Sequence, residues 1–157
     1  MNQKIHVKHR ETARVLVFSP KSEILMLKTH FDPGVGLPAR WLIPGGGLDE
    51  GETTLEAAIR ELAEETGLIA NPKDLGDPVL VASGTWVWAD GIRFHTYTDT
   101  IYELEVEKFE INTQGFTSDE IRDVLEYKWW NLGQLLASDE LIGPHELKDY
   151  LRSRFDK

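Results

Sequence analysis

The sequence predicts an α/β fold in which helices cover the faces of a mixed β-sheet. Three observations carry this expectation. Short runs rich in β-branched and apolar residues recur along the chain. One helix with clear start and stop signals interrupts them. The strands do not alternate with helices in a regular βαβ order. The 157 residues are about one domain's worth of chain, and no repeat or Ser/Gly/Pro linker divides them.

The elements follow in order. Residues 12–18 (TARVLVF) read as a strand, residues 19–22 as a turn, and residues 23–28 (EILMLK) as the second arm of a hairpin. Residues 29–40 hold two prolines and two glycines and read as a loop. A short strand at 41–43 runs into Pro44 and Gly45, Gly46 and Gly47. Thr53 and Glu56 have capping-box spacing, so a helix starts near Thr53. Gly67 suits the left-handed position that ends one. Between them Leu55, Ala58, Ile59 and Leu62 recur at helical spacing and form the buried stripe. Residues 78–82 read as a strand. Residues 85–88 and 92–102 flank Ala89, Asp90 and Gly91 as a hairpin. Residues 105–120 read as a polar loop with a helix start near Thr117, residues 126–130 as a late strand, and residues 144–155 as a closing amphipathic helix.

Composition excludes several functions. The absence of cysteine removes disulfides, thiolate metal sites and a cysteine nucleophile. The five histidines lack metal-ligand spacing, so a zinc site is not expected. The net charge of −10 argues against nucleic acid and anionic membranes as partners. The first 14 residues are polar, with no apolar core for a signal peptide, and no run approaches the ~20 residues that span a bilayer. A cytoplasmic protein is expected.

The acidic helix carries the chemistry. At about 100° of rotation per residue, Glu61, Glu64 and Glu65 share an arc beside the apolar stripe. Like charges on adjacent turns repel unless something neutralises them. Two readings are open: a solvated helix face, or a platform for a hard divalent cation such as Mg²⁺. Two flanking features favour the platform. The glycines that precede the helix permit close backbone approach to a ligand. Arg60 stands within reach of Glu56 and Glu64 and can orient them.

Gly46, Glu52, the run Arg60-Glu61-Leu62-Ala63-Glu64-Glu65 and the pair Gly67-Leu68 together resemble the complete Nudix box, with every fixed position filled. The lead-in from Trp41 to Gly46 and the segment from Lys128 to Leu135 are also similar to the family's pattern. The resemblance implies an α/β/α sandwich around a mixed sheet, and Mg²⁺- or Mn²⁺-dependent hydrolysis of a nucleoside diphosphate linked to another moiety. It also implies roles. Glu61, Glu64 and Glu65 bind the metal with the Gly45 carbonyl, Arg60 pairs with Glu52, and Gly67 ends the helix. The general base is a box glutamate or a later acid, with Glu120, Asp123 and Glu126 as candidates and Glu120 or Glu126 favoured. The alternative is a non-catalytic nucleotide-sensing domain, although such domains usually lose box acids.

Substrate recognition lies outside the box. Trp86 and Trp88 share a strand face and form either a base-stacking platform or part of the core. Arg93 and His95 share a face, and Arg93 is either a phosphate ligand or a surface charge. Arg40, Lys28 and His30 border the glycine loop as further phosphate candidates. Oxidised dGTP, ADP-ribose and dinucleotide polyphosphates remain open as substrates, as do monomer and homodimer.

Overall fold

The computed structural model describes residues 3–30, 38–118, 121 and 124–155. Its strands are β1 (Ile5–Phe18), β2 (Glu23–Thr29), β3 (Arg40–Leu42), β4 (Gly45–Gly47), β5 (Leu80–Val87), β6 (Arg93–Glu105), β7 (Val124–Asn131) and β8 (Ile142–Gly143). The α-helices are α1 (Thr54–Thr66), α2 (Pro72–Leu75), α3 (Leu132–Ala137) and α4 (Leu147–Phe155). The sheet runs β5-β6-β1-β2-β3-β8, with β4 paired to β1 and β7 to β2. The β1–β6 and β3–β8 pairings are parallel and the others antiparallel, so the sheet is mixed as expected.

Period-two alternation along β1 sorts the core into two layers. Ala13, Val15 and Val17 face Ala57, Ala58 and Leu62 of α1. Leu16 faces the other way, toward Leu135 of α3 and Leu147 and Leu151 of α4. The result is the α/β/α sandwich. None of the described helices is long and apolar enough to cross a membrane.

Helix α1 follows its signals closely. Thr53 and Glu56 exchange both capping-box hydrogen bonds, and Gly67 closes the helix at φ 81°. A side chain is strained in that left-handed conformation, and a Cβ at Gly67 would also lie 2.8 Å from Asn112. In the stripe, Ala58 and Leu62 are fully buried and Leu55 and Ile59 pack from the margin, while Ala57, outside the predicted stripe, is fully buried as well.

Elsewhere the structure departs from the expectation. β1 begins at Ile5 rather than Thr12, because residues 5–11 pair with β6 through backbone bonds without burying a face. Residues 80–87 are one strand rather than two. Gly84 does not break it. A Cβ there would lie 2.6 Å from the Tyr97 hydroxyl, so the glycine makes room for a cross-strand ring. The glycines after Pro44 pair with β1 as a short strand rather than forming a loop. Helices α2 and α3 carry little periodic signal, but Asn71 and Asn131 cap them. The closing helix starts at Leu147, three residues past Pro144. At Thr117 the carbonyl accepts the Ile121 N–H in a helical bond.

Leu62 is fully buried between α1 and the sheet. Leu62→Ala removes that contact and leaves a cavity, so it is expected to cost about 2–5 kcal/mol. A urea titration of the purified variant measures the drop, and an unchanged midpoint would contradict this packing.

Candidate active site

β4 and α1 meet beside β1, an interior strand of the sheet. β4 pairs with residues 12–14 of β1, with Gly45 opposite Arg14 and Gly46 opposite Ala13. A Cβ on Gly45 would lie 2.4 Å from the Ala13 carbonyl oxygen, and one on Gly46 would lie 2.6 Å from the Glu61 carboxylate. Both approaches are closer than any side chain permits, so glycine lets the backbone press against β1 at position 45 and against the acidic helix at position 46.

Arg60 ties the two elements together. Its Nε and Nη2 donate to the two Glu52 oxygens at 2.8 and 2.9 Å, and Nη2 also donates to the Gly47 carbonyl at 2.9 Å. Its Nη1 donates to Glu61 at 3.1 Å and to Glu64 at 3.2 Å. A planar guanidinium suits such forked bonding. Hydrogen bonding from Arg60, then from the Asp49 backbone N–H, holds the Glu52 carboxyl at about 2 instead of its ordinary 4.5. The same pairing raises the Arg60 guanidinium further above its already high value.

Glu65 is buried, and its Oε1 accepts the Gly45 N–H at 2.8 Å. Glu64 is the most open of the three, at 30% side-chain exposure against 12% for Glu61. Glu61 and Glu65 therefore lie against the glycine strand, and Glu64 is joined to them through Arg60. Among the described residues, however, no three acidic or histidine side chains converge into a ready-made metal cage. Arg60 stands between Glu61 and Glu64 instead.

Behind β4, on the opposite face of the sheet, lies a polar cluster that sequence reading missed. Arg14 and Asp99 form a buried ion pair at 3.1 Å, and Thr12 donates to the same carboxylate. Arg14 Nη1 also donates to the Ile43 carbonyl at 3.1 Å. The signals in the sequence are Arg14 within the apolar run 12–18 and Asp99 within the predicted strand 92–102. Such residues are rarely buried unless paired, but their partners are far apart in the chain.

The predicted substrate residues divide between two places. Trp86 and Trp88 do share a face. Arg40 stacks over the Trp86 ring and Arg93 over the Trp88 ring, each at 4.1 Å. Both rings are thus engaged with the chain's own guanidinium groups. Arg40 is pressed against the cluster: burial first, then Arg14, lower its affinity for its proton to about 9. Arg93 is exposed and bound to Asp90 at 2.7 Å in the hairpin turn. His95, its predicted partner on the same face, is buried against Trp88. Lys28 reaches over Trp41, and His30 is exposed at the end of the described segment. Glu126 is exposed on β7 opposite Lys28. Glu120 and Asp123 lie outside the described residues.

A carboxylate helix clamped to a glycine strand by one arginine, on a two-faced mixed sheet, is the arrangement that the resemblance to the Nudix box implies. The comparisons with known proteins agree. The family model described as NUDIX domain matches residues 8–151. An RNA pyrophosphohydrolase of Caulobacter vibrioides is 30% identical over 154 residues, spanning 92% of this chain and 83% of that protein. The chain belongs to the Nudix family. The nucleoside triphosphatase NudI of Escherichia coli K12 is 40% identical over 76 residues, covering 48% of this chain and 47% of that one. Solved structures share the fold. The MutT protein of Methanosarcina mazei Go1 has a TM-score of 0.66 at 20% identity, covering 99% of this chain and 96% of that one. The Escherichia coli dihydroneopterin triphosphate pyrophosphohydrolase has a TM-score of 0.60 at 21% identity, covering 92% and 93%.

The Arg60–Glu52 pair predicts a pH dependence. A carboxyl whose value is depressed on folding stabilises fully above its unfolded value and loses that contribution as pH falls through the folded one. For Glu52 the window runs from about 4.5 down to about 2. Urea midpoints of the wild type are expected to fall across this window, with a shallower fall for Glu52→Gln. Identical slopes would show that the pair is not coupled to folding.

Proposed function

We propose that this hydrolase uses Mg²⁺ or Mn²⁺ to cleave the diphosphate bond of a nucleotide linked to another group. The observation that carries the reading is the position of Arg60. Its Nη1 lies between Glu61 and Glu64, so the fold already places positive charge where those two carboxylates meet. The donor set fits a hard divalent cation, since all its atoms are oxygen. Glu61, Glu64, the remaining oxygen of Glu65 and the Gly45 carbonyl would hold it. When bound, such an ion neutralises diphosphate charge and lowers the pKa of its water.

The chain's own residues supply the rest. Arg60, fixed by Glu52, orients Glu61 and Glu64. Water attacks a phosphorus, a new P–O bond forms, and the bond to the bridging oxygen breaks, with no covalent enzyme intermediate. Glu64, the most accessible box carboxylate, accepts the proton of that water. Glu126 and Glu120 are the competing acceptors. Arg40 and the ring of Trp86 lie on the sheet face behind the glycine strand, where they would meet the nucleotide; Trp88 and Arg93 extend this surface along the hairpin. The names of the relatives place RNA and nucleoside triphosphates among the substrates to test, beside oxidised dGTP and ADP-ribose.

Glu64→Gln keeps the size of the side chain and removes its charge. Turnover at saturating Mg²⁺ is expected to fall at least about 100-fold, or about 2.7 kcal/mol in barrier, with the melting transition retained. Glu126→Gln should retain most activity. Release of phosphate or pyrophosphate from a nucleotide panel, with and without EDTA, is the measurement. Nucleotide binding with no metal-dependent release from any member would mean a sensor rather than an enzyme.

A further inference from the structure

The strands at the rim of the sheet are guarded, with one exception. β8 is two residues long, and Pro144 follows it. β4 is three residues long, and β7 carries Glu126 and Lys128. Short strands, prolines and charges keep a sheet edge from pairing with another chain. β5 has none of these. It runs eight residues from Leu80 to Val87 without a charge or a proline, and its ladder with β6 stays in register throughout. Among the described residues, β6 is its only neighbour in the sheet.

The backbone of β5 turns alternate residues outward. At the hairpin end, the Trp88 N–H donates to the Arg93 carbonyl. Bonded positions alternate in an antiparallel pair, so Trp86, Gly84 and Ala82 direct their amides at β6. Val81, Ser83, Thr85 and Val87 then direct their N–H and C=O groups away from it. These four residues are also exposed, Val81 at 58% and Val87 at 40%. They are symmetric in kind about Gly84, with a hydroxyl residue next but one to a valine on each side. Such a strand matches itself when a second copy runs antiparallel with Gly84 on the two-fold axis. Val81 then meets the partner's Val87, Ser83 meets the partner's Thr85, and the outward backbone groups fall at hydrogen-bonded positions. On the other face Trp86 meets the partner's Ala82, whose small side chain leaves room for the ring. The net charge of −10 opposes self-association in general, but no like charges face each other along this strand. Asp77, Asp90 and Arg93 lie past its two ends, and Arg93 is bound to Asp90.

We propose that β5 is the seam of a symmetric homodimer, in which the strand pairs with its own copy and one sheet runs through both subunits. The interface is isologous, and each copy offers one such edge, so association stops at two. A single paired strand is at the small end of specific interfaces, and dissociation is expected at about 10 to about 100 µM. The pairing breaks no bond and does not depend on which substrate the acidic helix serves.

Sedimentation velocity of the full chain from about 1 to about 500 µM spans this range. Wild type is expected to pass from monomer to dimer and no further. Thr85→Pro removes an outward N–H and leaves the β6 ladder intact, since proline is tolerated on an edge strand. It should weaken the dimer at least about tenfold, with its melting transition retained. Val81→Lys and Val87→Glu each set a charge against a valine and should each weaken it by about tenfold. The two together set opposite charges across the axis and should recover most of that loss. Recovery reads the register itself, which a general loss of stability would not restore. A wild type that stays monomeric throughout overturns the proposal and leaves the edge to a foreign strand. Species heavier than a dimer overturn it, as does a folded Thr85→Pro that dimerises like wild type. Should Thr85→Pro not fold, the charge variants decide: a double variant no tighter than either single one overturns the pairing.

Discussion

The site depends on one guanidinium. Arg60 bonds to Glu52 and Gly47 on the strand side and to Glu61 and Glu64 on the helix side. Without it, three carboxylates on adjacent turns would repel, and the glycine strand would keep only the Gly45 N–H bond to Glu65 as a polar tie to the helix. With it, the acidic helix is held in register by charge-assisted bonds in a half-buried setting, where such bonds are stronger than in open water. The capping box at Thr53 and the left-handed Gly67 set the two ends of α1, so the phase of the helix is fixed from both sides. The carboxylates then have little rotational freedom before any ligand arrives.

Around this clamp the sheet keeps opposite charges apart. On one face α1 presents acids. On the other, Arg14 and Arg40 lie behind the same glycine strand, with Asp99 balancing Arg14 through a buried bond. β4 is only three residues long and has no side chains, so it separates the two fields by little more than a backbone. A diphosphate at that strand would meet carboxylate-held cations on one side and guanidinium charge on the other.

Much of this was legible in the sequence because it is local. The capping box, the terminal glycine, the apolar stripe and the spacing of Glu61, Glu64 and Glu65 all lie within one helix and its flanks. The Arg60–Glu52 pair was legible from the family resemblance alone. What escaped was non-local or polar. Residues 5–11 bury no face, so they lack the alternation that marks a strand, and only their pairing with β6 reveals one. The Arg14–Asp99 bond spans 85 positions and leaves no pattern in either strand. The continuity of residues 80–87 escaped because the ring that Gly84 accommodates belongs to another strand. That the two tryptophans share a face was legible from alternation, but their stacking partners, Arg40 and Arg93, could be known only from the fold.

The parallel pairing of β1 with β6 has a consequence for how the chain is made. Ile5 aligns with Arg93 and Phe18 with Glu105, so the longest ladder of the sheet closes between the first and sixth strands. During synthesis from the N-terminus, β1 emerges long before its partner and must wait for residue 105. Its apolar stretch from Ala13 to Val17 is held meanwhile by the early hairpin with β2 and by the glycine strand. The polar residues before it have no such shelter to seek. A nascent chain ending before β6 therefore exposes a charged, soluble strand end instead of a sticky one, which lowers the risk of pairing with a neighbouring chain on the same message.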